Sequence, residues 1–293
     1  MISYPMGNFI VHNKKCVSAL SFETMLKTMK KNMTDFRVVE NLSLTDRLFL
    51  LKLTPADDSP IGDTRPGQFV EVRVDNEPKV FLRRPISIHR VLKAKNEMWL
   101  LVQKAGNGTN RIATLKEGET LNLVYPLGNG YTLTGGRVLL VGGGVGIAPL
   151  LETGAVLKAN GAQVTYLLGT RSARDLVELE LYREVGEVLV TTEDGSTIEG
   201  LDCQKGFVTN HSRLRSGAFD AIRVCGPGPM MKALAKTIAD WPEMQKPHYC
   251  EVSLENKMAC GLGVCLCCVE NTQSGHRCVC SDGPVFDVKE LKW

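Results

Sequence analysis

The chain has 293 residues, of which 43% are hydrophobic, enough for about two domains with buried cores and a small additional module. Its formal net charge of +3, from 35 basic and 32 acidic residues, is too small to mark a nucleic-acid or anionic-membrane partner. No stretch is long and apolar enough to cross a bilayer, and the opening "MISYPMGNFIVHNKKCVSAL" lacks the basic start, apolar core and cleavage site of a secretory leader, so a cytoplasmic protein is expected.

Residues 1–33 stand apart. They contain "VHNKKCVSALSFETMLKTMKKNM", with little strand alternation and only a short, weak helical pattern. Met25, Met29 and Met33 are alternative starts, and this extension is expected to be largely disordered or absent from the native product. A short amphipathic helix is the alternative.

Over 34–134 the pattern is of short alternating strands: "FRVVENL", "RLFLLKL", "QFVEVRV", "ISIHRVL", "MWLLVQ" and "TLNLVYP", separated by turn residues. Six strands at such intervals predict a small antiparallel β-barrel rather than a βαβ unit. Within it, "RRPIS" (Arg83–Ser87) sets cations beside a proline and a hydroxyl, and "GNGTN" (Gly106–Asn110) reads as a flexible turn rich in N–H donors. An arginine fork beside exposed backbone N–H groups suits a pyrophosphate, whereas a surface arginine and an ordinary turn is the plainer reading.

From 135 to 245 the rhythm becomes strand, glycine turn, helix. "RVLLVGGGVGIAPLLETGAVLKANG" is a buried apolar strand, then Gly142, Gly143, Gly144 and Gly146, then a helix stopping near Gly161. Such a turn aims N–H groups and the helix dipole at a phosphate. "VTYLLGTRS", "EVLVTTEDGS" and "AIRVCGPGPMMKALAKTIADW" continue the alternation, the last repeating the device at Gly226 and Pro227. A parallel α/β sheet that binds a dinucleotide is predicted, although the spacing is not G-x-G-x-x-G. The fold class is therefore α+β multidomain: an antiparallel barrel, a parallel α/β domain and a C-terminal module over 246–293.

That module crowds six of the ten cysteines into "CGLGVCLCCVENTQSGHRCVC", Cys260 to Cys280. In a reducing compartment dense cysteines are more often ligands than disulfides. Cys260, Cys265 and Cys268 have C-x4-C-x2-C spacing, that of a plant-type [2Fe–2S] cluster, and structural zinc would want a second C-x2-C-like pair. Spacing leaves the fourth ligand open between Cys278 and Cys280, and Cys267 is surplus. The scattered Cys16, Cys203, Cys225 and Cys250 read as small buried hydrophobes.

"RRPIS", "GNGT", "YPLGNGY", "VGGGVGIAPLL", "VCGPGPMM" and "MACGLGVCLCCV…VCSDGPVF", in this order from about Asp35 to Trp293, resemble the electron-transfer subunits of class B dihydroorotate dehydrogenases, within the ferredoxin–NADP reductase superfamily. The resemblance implies FAD at Arg84, Pro85, Ile86 and Ser87, at Leu101, Val102 and Gln103 (where the usual basic or aromatic residues are missing), and at Gly108 and Thr109. It implies Cys280 as the fourth ligand, because that ligand precedes "DGPVF" by two positions in the family, with Cys278 surplus. It further implies an FMN-containing dihydroorotate dehydrogenase catalytic subunit as partner, in an assembly of two of each. Electrons would pass from that FMN through the cluster and FAD to NAD+, in pyrimidine biosynthesis. A flavin is the natural converter between one-electron and hydride chemistry. Ser87 and Cys225 are the candidate catalytic residues, at the flavin and at the nicotinamide; a packed strand-end thiol is the plain reading of Cys225. Arg171 and Arg174 could accept a 2′-phosphate, so NADP stays open beside NAD. Reductase subunits serving sulfide dehydrogenases, hydrogenases or bifurcating transhydrogenases carry similar motifs, and a non-catalytic iron–sulfur scaffold is the alternative of another class.

Overall fold

The computed structural model describes residues 30–215 and 219–293, so the expectation for residues 1–29 lies outside it. The first sheet is built from β1 (Asn32–Ser43), β2 (Leu48–Pro55), β3 (Phe69–Val72), β4 (Arg84–Ser87), β5 (Arg90–Leu92), β6 (Glu97–Gln103) and β7 (Thr120–Leu127). Their order is β4-β3-β7-β1-β2-β6-β5, with every pairing antiparallel. The alternation in the sequence is what closes it: Phe36, Val38, Leu51, Leu53, Val70, Leu100 and Leu123 share one buried core, with Phe36 edge-on to Tyr125 at 5.2 Å. Such residues are each worth about 2 kcal/mol when fully buried.

Two details differ from the sequence reading. There are seven strands instead of six, because "ISIHRVL" divides: Ile88 N–H still donates to Gln68 O beside β3, while His89 N–H donates to Trp99 O of β6. The chain changes partner strand at this step, so the edges β4 and β5 are not paired with each other and the barrel is a curled open sheet. In addition, β1 begins at Asn32, two residues inside the expected extension.

The second sheet holds β8 (Arg137–Gly143), β9 (Gln163–Thr170), β10 (Glu187–Thr192), β11 (Asp202–Lys205), β12 (Ala221–Cys225), β13 (Tyr249–Ser253) and β16 (Val285–Asp287). The order is β11-β10-β9-β8-β12-β13-β16, parallel throughout except for β16. Both β13 and β16 come from the stretch expected to form the separate C-terminal module. The remainder of that stretch is the cysteine loop and a hairpin, β14 (Val269–Thr272) with β15 (Gly275–Cys278). The helix Ala148–Ala159 lies tight on the sheet because Gly154 has no side chain: a Cβ there would stand 1.9 Å from Tyr166 Oη.

Specific polar contacts lock the parts together. Asn129, in "YPLGNGY", donates through Nδ2 to Asp282 O and Val285 O, and its Oδ1 accepts from Val285 N–H, each at 3.0 Å. Tyr131 Oη donates to Val224 O at 2.9 Å. His89 is buried, with Nδ1 2.7 Å from Ala148 O and Nε2 3.0 Å from Glu178 Oε2, which ties the curled sheet to the helix Ala148–Ala159. Arg223, 0% exposed on β12, pairs with Glu251 of β13 at 2.9 Å and donates to Thr132 O at 2.7 Å, while Glu251 accepts from Thr132 N–H.

A buried ion pair adds little over an apolar pair, but removing one partner leaves an uncompensated charge. Arg223→Met is therefore expected to cost about 3 kcal/mol, read as a shift of the urea unfolding midpoint, with Glu251→Gln in the same background recovering part of the loss.

Candidate functional site

The flavin motif occupies one edge of the first sheet. Arg84 through Ser87 form β4, with Ile86 turned into the core and Pro85 outward. "GNGTN" is not a free turn but the start of a short helix, Asn107–Ile112, because Thr109 Oγ1 accepts from Ala105 N–H at 2.8 Å and from Gly106 N–H at 3.3 Å. Gly108 lies against Arg84: a Cβ on it would meet Arg84 Nε at 2.6 Å. The half-buried Arg84 guanidinium donates only to Arg83 O and has no carboxylate partner among the described residues. A cation without an ion-pair partner among the described residues, beside the first N–H groups of a helix, is a fit for a dinucleotide's pyrophosphate. The Ser87 hydroxyl makes no hydrogen bond among the described residues. Leu101 and Val102 are placed differently, with their side chains spent in two separate cores; only Gln103 faces open space, and it lines the neighbouring cleft.

That cleft, of about 530 Å³, runs along the carboxyl ends of the second sheet's strands. Gly143, Gly144 and Pro227 line it, and Gly144 has φ of +56° with open space where a Cβ would be. Gly142 and Gly143 are still strand, and Gly144–Ile147 makes one tight turn before the helix. Gly146 packs against the neighbouring strand end: a Cβ on it would stand 2.5 Å from Cys225 O. Thr191 Oγ1 is buried in the wall without a hydrogen-bond partner among the described residues, a hydroxyl suited to a bound polar group. Cys225 ends β12 opposite Ser253 of β13, and burial holds its thiol well above the ordinary cysteine range, with Glu255 pushing the same way. It stays a neutral thiol.

The cysteine loop follows β13. Gly261 and Gly263 take φ of +65° and +83°, the left-handed values that glycine accepts freely, and Leu266 joins them at +58°. Leu262 N–H donates to Cys260 Sγ at 3.3 Å, Gly263 N–H to Cys280 Sγ at 3.2 Å and Cys280 N–H to Cys268 Sγ at 3.4 Å. Although burial pushes Cys260 up, the N–H groups of Leu262, Cys265 and Val264 bring its thiol down to about 6. Burial, with Cys268 alongside, pushes Cys280 up to about 12. Cys268 and Cys280 are buried, Cys260 is half-buried and Cys265 is exposed. Among the described residues no three His, Cys, Asp or Glu converge as ligands of a single ion. N–H groups aimed at sulfur fit thiolate ligands. Of the surplus cysteines, Cys267 is exposed, while Cys278 N–H donates to Asp282 Oδ2 at 2.8 Å and so supports the turn before "DGPVF".

One residue of this region was missed by sequence reasoning. Glu71 of β3 is 0% exposed, neither carboxyl oxygen has a hydrogen-bond partner among the described residues, and a Cβ on Gly261 would meet its Cγ at 2.9 Å. Burial pushes its pKa up to about 7 against the pull of Arg83 and Arg84. In the sequence it reads as an ordinary outward position of "QFVEVRV"; only the loop folded over it makes it internal.

The curled antiparallel sheet, the parallel sheet with its glycine-lined cleft and the appended cysteine loop together define an NAD(P)H-linked flavin reductase with an iron–sulfur segment. The solved structure of an NADH-dependent reduced ferredoxin–NADP oxidoreductase, studied for flavin-based electron bifurcation, is similar with a TM-score of 0.76 and 28% identity, over 88% of this chain and 90% of that one. The ferredoxin reductase of carbazole 1,9a-dioxygenase shares the fold at a TM-score of 0.60 and 22% identity, over 74% of this chain and 69% of its own. Residues 255–292 match the family model for the iron–sulfur cluster binding domain of dihydroorotate dehydrogenase B. The electron transfer subunit of dihydroorotate dehydrogenase B (NAD(+)) from Geobacillus sp. is 40% identical, over 77% of this chain and 86% of its own length. That of Bacillus pumilus is 35% identical over 87% and 96%. The chain belongs to the family of dihydroorotate dehydrogenase B electron transfer subunits.

The Glu71 carboxyl carries a stability consequence. Its folded-state pKa lies above the 4.5 of an ordinary glutamate, so the stability it contributes when neutral is fully present below about 4.5 and lost as pH rises through about 7. Glu71→Gln is expected to reduce the loss of stability between about pH 5 and about pH 8.5 by about 2 kcal/mol, followed by thermal unfolding of the full chain across that range.

Proposed function

We propose that this chain is the electron-transfer subunit of a cytoplasmic dihydroorotate dehydrogenase. It receives electrons from an FMN-containing catalytic subunit and delivers them to NAD+, with FAD and a [2Fe–2S] cluster as resident groups, in the route to pyrimidines. The observation that carries this reading is the cysteine loop laid against β3, Gly261 resting on Glu71 and Leu127, which sets the thiols beside the sheet that carries the flavin motif. When bound, the cluster supplies one-electron chemistry, and the flavin both one-electron and hydride chemistry.

The chain's own residues bind, orient and exclude water. Arg84, with the N–H groups at Gly108 and Thr109, holds the flavin pyrophosphate, and β4 presents Ser87 as a free hydroxyl to the flavin ring. Gly143, Gly144 and Pro227 leave room for the dinucleotide phosphates. Cys225, a neutral buried thiol, packs where the nicotinamide docks. Cys260, Cys265, Cys268 and Cys280 hold the cluster, with the N–H groups of Leu262 and Gly263 turned to Cys260 and Cys280 and that of Cys280 to Cys268. Leu262, Val264 and Leu266 are exposed on the same loop, 77% in the case of Val264, and form the apolar face that docks the catalytic subunit in an assembly of two of each.

Serine in place of Cys260, Cys265, Cys268 or Cys280 is expected to abolish or severely reduce iron content, whereas Cys267→Ser and Cys278→Ser retain it. Iron lost from the Cys278 variant and kept in the Cys280 variant would reverse the ligand assignment. With its cofactors loaded, the chain alone is expected to oxidise NADH with an artificial acceptor and to leave dihydroorotate untouched. Adding the catalytic subunit restores dihydroorotate turnover and protects residues 262–266 from hydrogen exchange. Dihydroorotate oxidation by the chain alone, or protection confined to the curled sheet, contradicts the reading. A reductase serving another dehydrogenase is distinguished by failing to pair with a dihydroorotate-oxidising partner.

A further inference from the structure

The two large sheets meet on an apolar surface. Leu48, Leu50 and Leu101 of the curled sheet pack in one core with Ile147, Ala148 and Leu151, at the end of the tight turn after β8 and the start of the helix Ala148–Ala159. Such contact is non-directional, so it holds the sheets together without fixing how one is turned on the other. Bonds from Asn129, Tyr131 and Thr132 fix one side of the junction, at β16, β12 and β13. The other side is fixed at His89.

His89 follows Ser87 by two residues, at the step where the chain leaves β3 for β6, and it is buried. Its Nδ1 is 2.7 Å from Ala148 O, and a carbonyl can only accept, so Nδ1 carries the hydrogen and donates. Its Nε2 is 3.0 Å from Glu178 Oε2, the distance of an ion pair without the alignment of a hydrogen bond. Glu178 reaches this place from a left-handed backbone, φ +53°, just before the short helix Leu179–Val185. A residue with a side chain keeps that conformation only where its surroundings impose it. From the same short helix Tyr182 Oη donates to Ile147 O at 3.0 Å, so two successive carbonyls at the exit of the glycine turn each take a side-chain donor. One turn along the longer helix, Glu152 faces Arg90 and the Val91 N–H, both on β5.

Ser87 and the glycine turn belong to the two halves between which the reaction runs. A hydride, one hydrogen nucleus with both electrons, moves between C4 of the nicotinamide and N5 of the flavin. Its rate depends on their separation, and an error of about 1 Å costs about 100-fold. We propose that His89, anchored by Glu178, is a positioning residue for this transfer: it sets the glycine turn and the head of the helix Ala148–Ala159 against the strand that presents Ser87. This role rests on the reading of β4 as the flavin strand and of the cleft as the nucleotide site given above. A buried polar pair inside an apolar junction supplies direction, where apolar contact supplies only attraction.

Replacing both partners at once separates positioning from stability. His89→Leu with Glu178→Met leaves neither partner buried without the other, so the double variant is expected to fold and to bind FAD as the wild type does. Flavin reduction by NADH would be followed by anaerobic stopped flow on the cofactor-loaded full chain, with hydrogen exchange over residues 144–152 measured on the same samples. In the double variant the limiting rate is expected to fall about 10- to 100-fold, with the NADH dissociation constant within about 2-fold and exchange over 144–152 faster. His89→Asn keeps a donor where Nδ1 stands and is expected to recover most of the rate. His89→Gln, whose donor stands nearer Nε2, is not. Leu157→Val, buried near the far end of the same helix, controls for lost stability: its melting temperature falls and its rate stays. A wild-type rate in the double variant, or equal rates in the Asn and Gln variants, overturns the proposal while leaving both sites as read. So does a rate that falls only in step with melting temperature, Leu157→Val included, or a loss of bound FAD. If the double variant does not fold, the contrast between Asn and Gln decides alone. A wild-type chain that binds FAD but is not reduced by NADH sinks the reading of the cleft, and this role with it.

Discussion

The glycine turns after β8 and β12 lie backbone on backbone. A Cβ on Gly146 would stand 2.5 Å from the carbonyl oxygen of Cys225, and one on Gly226 would stand 3.0 Å from the nitrogen of Gly143. Only a residue without a side chain permits this approach. The rest of the site follows from it. The contact sets the two strand–turn–helix units at one spacing, which opens the cleft on one side and buries Cys225 on the other. Through the register of β12 with β13, Cys225 facing Ser253, it also fixes where the chain leaves the sheet to form the cysteine loop.

Opposite environments then act on chemically identical groups. Cys225 is fully buried and held as a thiol, because burial penalises the thiolate and Glu255 pushes the same way. Cys260 is only half-buried, and the loop turns several N–H groups toward it, so the thiolate is favoured. The difference lies in where backbone donors are left over. At Cys225 the Gly226 N–H and the Ser253 hydroxyl oppose burial only in part, whereas in the loop the left-handed residues Gly261, Gly263 and Leu266 leave several donors turned inward. Glu71 shows the complementary case: an acid on a strand that would face water had the loop not folded over it.

The curled sheet and the parallel sheet were both legible in the sequence, since hydrophobic alternation and the strand–glycine–helix rhythm are local signals. The division of "ISIHRVL" was not. Its apolar pattern runs through unbroken, and only the change of partner strand at Ile88 and His89 splits it in two. The helical start of "GNGTN" escaped for a similar reason: its composition is that of a turn, and the Thr109 side chain bonding back to Ala105 and Gly106 converts it.

For the site, the sequence by itself determined the chemical identities: the cysteine spacing, the arginine beside "PIS" and the two glycine turns, each a short-range motif whose function depends on neighbours along the chain. Tertiary structure alone decided which of these meet and what stands between them. Asn129 joins the exit of the curled sheet to "DGPV", more than a hundred residues away. Glu71 comes to lie beneath Gly261, and Asp175 and Glu193, from the connections after two different strands, come to share one wall of the cleft. Leu101 and Val102, matched by motif, turn their side chains into opposite cores. The reason is the same in each case. Burial and electrostatic environment are properties of a surface closed by segments far apart in sequence, and no local pattern carries the identity of the segment that will close it.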